Sequence, residues 1–76
     1  MSEKLSSDAL KYIIARLIAN ANEAIDESRA DRGDLFKSGR SLAYFEMLDI
    51  LQAELDAREQ DLREFGLNVD LMQKYI

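Results

Sequence analysis

Four carboxylates, Glu23, Asp26, Glu46 and Asp49, and one serine-rich segment, Lys37-Ser38-Gly39-Arg40-Ser41, come nearest to chemistry in this 76-residue chain. In a helical hairpin the four acids become neighbours, the raw material of a metal or acid–base site. Their angular positions argue otherwise, because all four point away from the apolar stripes. Di-iron carboxylate bundles aim their ligands into the core and use histidine as well, and this chain has no histidine. A solvated face is therefore expected. The serine segment resembles an anion cradle at a helix N-terminus, where backbone N–H groups and the dipole attract phosphate. It lacks the preceding strand and the spacing of a P-loop, so a weak anion or phosphate-backbone contact is expected rather than a nucleotide site. Ser38 and Ser41 have no histidine or obvious lysine base beside them, and no nucleophile–base pair emerges. No catalytic residue, metal or cofactor is expected, and the chain reads as non-enzymatic.

Composition narrows the class further. Cysteine and histidine are both absent, which removes disulfides, thiolate chemistry, zinc-finger patterns and the commonest general base. A chain this short builds a marginal core, so self-association is the expected supplement. It is 47% hydrophobic without an apolar run long enough for a bilayer. MSEKLSSDAL lacks the apolar h-region and small-residue cleavage site of a signal peptide, so a cytoplasmic protein with no membrane partner is expected. A net charge of −5 opposes general attraction to nucleic acid.

The elements follow from period. Ser6 can cap a helix, Asp8 suits its positive end, and Leu5 can staple onto Leu10. Leu10, Ile14, Leu17, Ala21, Ala24 and Ser28 then step by four and three, with Ile13, Ile18 and Ile25 widening the stripe; Tyr12, Arg16, Ala19, Glu23 and Asp26 form the wet side. The first helix is predicted over about 6–30. Tyr44, Leu48, Leu51, Leu55, Arg58, Leu62 and Phe65 continue the same rhythm, with Gly66 and Leu67 set to close against Leu62 in a Schellman cap. That predicts a second helix over about 40–65. Between them, residues 31–39 carry Gly33 and Gly39 and read as a bend, with Leu35 and Phe36 covering the core's end. Arg32-Gly33-Asp34 spells an adhesion tripeptide, which three letters produce by chance.

The expected fold is all-α: one antiparallel helical-hairpin domain over 1–76, with an N-terminal tail (1–5) and a C-terminal tail or short helix (67–76). Folding the halves back pairs Leu10 with Leu62, Leu17 with Leu55 and Ser28 with Tyr44. One partner helix covers only a narrow seam. Ile13, Ile18, Ile25, Met47 and Ile50 are left over as the expected interface of a homodimer, two hairpins forming a four-helix bundle. In the alternative, residues 67–76 fold back and cover them. Arg58 interrupts the leucine seam and is expected to snorkel and pair with Glu54 or Asp61.

The leading functional expectation is a small helical protein–protein interaction module, a regulator or adaptor binding a protein through an apolar margin or the acidic face. The hairpin resembles, in architecture alone, the small plasmid-encoded RNA-binding hairpin dimers known as Rop. No shared motif carries RNA-contacting residues across. That resemblance frames the second expectation, a nucleic-acid-binding regulator using the basic bend of Arg29, Arg32, Lys37 and Arg40, or the polar side of helix one with Lys11, Arg16, Asn20 and Asn22.

Overall fold

A computed structural model describes residues 5–76, so most of the expected N-terminal tail lies outside the described residues. The Ser6 hydroxyl accepts from the Ala9 amide at 3.1 Å, and helix α1 runs Ser7–Ala30 with Asp8 in its first turn. Leu5, expected to staple onto Leu10, stays largely exposed. Ile14, Ala21 and Ala24 are buried along the predicted stripe, and Tyr12, Arg16, Ala19, Glu23 and Asp26 are exposed opposite them. Sequence period and burial agree along α1 except at Ile13, which widens the predicted stripe yet stays exposed.

Helix α2 runs Leu35–Ala57, five residues earlier at its start and eight at its end than the period predicts. The bend shrinks to residues 31–34. Its chemistry lies in one side chain: the Asp34 carboxylate accepts from the amides of Phe36 at 2.9 Å and Lys37 at 3.2 Å, capping α2. The Asp34 amide in turn donates to the Asp31 carbonyl at 3.1 Å, closing a four-residue turn around Arg32 and Gly33. Gly39 is helix interior. A glycine there costs roughly 1 kcal/mol against alanine, which a helix of this length absorbs.

The other end of α2 stops for a backbone reason. Glu59 takes the left-handed conformation, φ 59°, its amide bonding the Asp56 carbonyl and the Gln60 amide the Leu55 carbonyl. This is the Schellman pattern without glycine. The chain then turns into a 3₁₀ turn, Leu62–Phe65, opened by the Asp61 carboxylate accepting from the Arg63 amide. The Arg63 guanidinium beside Asp61 holds that carboxyl below its usual range. Gly66 follows at φ 73°, and the Leu67 amide bonds the Leu62 carbonyl at 3.0 Å. The expected Gly66–Leu67 closure thus forms, but it ends the 3₁₀ turn rather than α2. A short helix α3, Leu71–Tyr75, capped by Asp70, completes the chain.

The α1–α2 hairpin is antiparallel, and the C-terminal segment lies across both helices. Ile14, Leu48 and Leu67, one from each part, are fully enclosed, each burial contributing about 1.5–3 kcal/mol. Phe65, Leu71 and Tyr75 join them in the same core. Polar ties hold the segment down: the Gln52 amide donates to the carbonyls of Leu67 and Val69, both at 2.9 Å, and Arg29 donates to the Lys74 carbonyl at 2.8 Å. The tighter bend also changes the helix register. Ser28 lies across from Ser38, and Glu27 from Arg40, rather than Ser28 from Tyr44.

Candidate interaction surface

Burial divides the five residues expected at an interface. Ile25 is buried, and Ile18 packs on the core with its Cδ1 occupying the space that a Cβ on Gly66 would approach. Both are covered by the chain itself, as the folded-back C-terminal segment requires. Ile13, Met47 and Ile50 remain exposed.

Helix α2 has a second apolar side. Leu35 is 85% exposed, Phe36 78%, Leu42 48%, Met47 41% and Ile50 62%. Leu35 and Phe36 therefore do not cover the end of the core; they lie in the first turn of α2 and face solvent. At ~100° per residue, Phe36, Ala43 and Ile50 stack along the centre of one face, opposite the buried Ser41, Leu48 and Leu55. Gly39 lies beside this stack, and a Cβ built on it meets nothing within 4 Å. Apolar side chains thus stand on two sides of α2, one in the core and one in water, with Glu46 and Asp49 exposed among the latter. The signal was present in the sequence, because Phe36, Gly39, Ala43, Met47, Ile50 and Ala53 also step by three and four. Placing the helix start at residue 40 concealed its first two members.

The basic bend is largely spent on internal contacts. Arg29 holds α3, Lys37 pairs with Asp31 at 3.4 Å, and Arg40 pairs with Glu27 at 3.2 Å while lying over the Tyr44 ring. The polar side of α1 is similarly engaged: Lys11 pairs with Glu64 at 3.5 Å, Arg16 donates to the Tyr12 hydroxyl, and Asn22 accepts from Tyr75. Lys37-Ser38-Gly39-Arg40-Ser41 is continuous helix, so it forms no open cradle of backbone amides. Asp34 of the adhesion-like tripeptide is committed to capping α2.

Glu23, Asp26, Glu46 and Asp49 are all exposed, and no group of acidic residues among the described ones is arranged to hold a metal ion. Arg58 lies just past the end of α2, outside any seam, with its guanidinium 2.6 Å from Glu54. No helix among the described residues is long and apolar enough to cross a membrane. Comparison with family models, with curated proteins and with solved structures returned no match.

Proposed function

We propose that this chain is a non-enzymatic helical interaction module whose docking surface is the outer face of α2, and that a second copy of the chain is its first occupant. The observation carrying this reading is the exposure of Leu35, Phe36, Leu42, Met47 and Ile50 on a helix already buried along its opposite side. Large apolar side chains gathered on one exposed helix face mark interaction sites more often than they occur idly on a monomer. Self-pairing suits the sequence of that face. A two-fold axis beside Ala43, with the two α2 helices antiparallel, sets Gly39 of each chain opposite Met47 of the other and Phe36 opposite Ile50. Small residues then admit large ones, and the two backbones approach closely at the centre.

Nucleic-acid binding has less support, because three of the four cations at the bend already have partners within the chain.

Light scattering at micromolar concentration tests the reading. The expected mass is twice the 8.7 kDa chain, reduced to one chain in Phe36→Glu or Ile50→Glu with helicity unchanged. A wild-type chain that stays single at hundreds of micromolar rejects self-pairing.

A further inference from the structure

A cleft of about 370 Å³ opens at the bend end, between the last turns of α1, the first turns of α2 and the C-terminus of α3. Its lining separates into two kinds. Arg29, Arg32 and the serines Ser28, Ser38 and Ser41 are the polar members, and Ile25, Leu42, Tyr75 and Ile76 supply apolar wall. No acidic side chain lines it, in a protein whose net charge is −5. Ser41 is 4% exposed, and its buried Oγ has no hydrogen-bond partner. Buried hydroxyls are normally satisfied, so an orphan in a cleft wall calls for an explanation.

We propose that this cleft binds a small organic oxyanion, a carboxylate or phosphate head carrying a short apolar tail. Arg32 forms no ion pair or hydrogen bond among the described residues, and Arg29 uses one terminal nitrogen on the Lys74 carbonyl, leaving its other N–H groups for a ligand. Guanidinium donors match the geometry of carboxylate and phosphate oxygens. The serine hydroxyls complete the head site, Ser41 gaining the partner it lacks, and the tail lies against Ile25, Leu42 and Tyr75. The cleft shares only Leu42 with the outer face of α2, so this inference stands apart from self-pairing.

The test is a titration of the isotopically labelled full chain followed by amide chemical shifts. The probes are 4-methylpentanoate and phenyl phosphate, with inorganic phosphate as the tail-less control; the tighter of the first two identifies the head group. Saturable shifts centred on Ser28, Arg32 and Ser41 are expected, with about tenfold tighter binding for a tailed probe than for inorganic phosphate. Arg32→Gln, in an exposed turn, should weaken binding about tenfold, and Ser41→Ala severalfold. Shifts that grow linearly without saturating, that appear equally around Lys11 and Arg63, or that persist in Arg32→Gln would overturn the proposal.

Discussion

The Tyr75 hydroxyl donates to the side-chain oxygen of Asn22 at 2.5 Å, joining the last turn of the chain to the middle of α1. The tyrosine ring is buried in the core, while Asn22 is half-buried. A five-residue helix has little stability of its own. Its docking rests on contacts such as this one.

Tyr75→Phe keeps the ring and removes the hydroxyl. Losing the bond and leaving Asn22 partly unsatisfied should cost about 1 kcal/mol, a fall in Tm of roughly 4–8 °C for a domain of this size. Thermal unfolding followed by circular dichroism reads it. An unchanged Tm would mean that water replaces the phenol without loss.

Burial raises the Tyr75 phenol above its ordinary value. The folded state therefore holds the proton more tightly than the unfolded chain. This contribution to stability is complete below the unfolded value near pH 10 and is lost as pH rises from there through the folded value. Urea midpoints should fall across that alkaline window, and Tyr75→Phe should remove this share of the fall.

Glu59 and Gly66 both have positive φ, 59° and 73°, and only one of them is glycine. Glu59→Gly should stabilise the fold by about 1 kcal/mol by relieving the left-handed strain of an L side chain. Gly66→Ala should do the reverse, since its Cβ would also come within 3.3 Å of the Ile18 Cδ1. Paired denaturation curves check the opposite signs.

Gly39→Ala separates helix propensity from docking. With open space at its Cβ, alanine should stabilise the single chain by up to ~1 kcal/mol. The same methyl intrudes where Met47 of the other copy would sit, so self-association should weaken. Denaturation of dilute protein and light scattering of concentrated protein should move in opposite directions.

Periodicity made α1 legible from end to end, because its cap, stripe and wet side all point the same way. It made α2 legible only in the middle. Residues 31–41 have the composition of a loop, yet an aspartate three residues past the turn's start captures two amides and begins the helix inside it. At the far end, Leu55, Leu62 and Phe65 keep a helical spacing although the backbone between them reverses at Glu59, a residue whose type announces no such turn. The apolar excess on α1 was readable, and so were two ways of covering it. Which of them covers Ile18 and Ile25 depended on where residues 62–76 pack, a long-range contact that spacing does not encode. The cleft was harder still, since Ser28, Ser38 and Ser41 acquire meaning only when the bend brings them beside α3.

Apolar side chains stand on two flanks of α2, yet the flanks are not equivalent: the inward row of Ser41, Leu48 and Leu55 is free of charge, whereas Glu46 and Asp49 share the wet side with Met47 and Ile50. The four-residue link at 31–34 brings the helices together as antiparallel neighbours but leaves that choice of flank to the carboxylates. An extra residue in so exposed a turn would be absorbed there, with Leu48 kept in the core. Ionised groups, rather than the span of the tether, select which side of α2 is offered to other molecules.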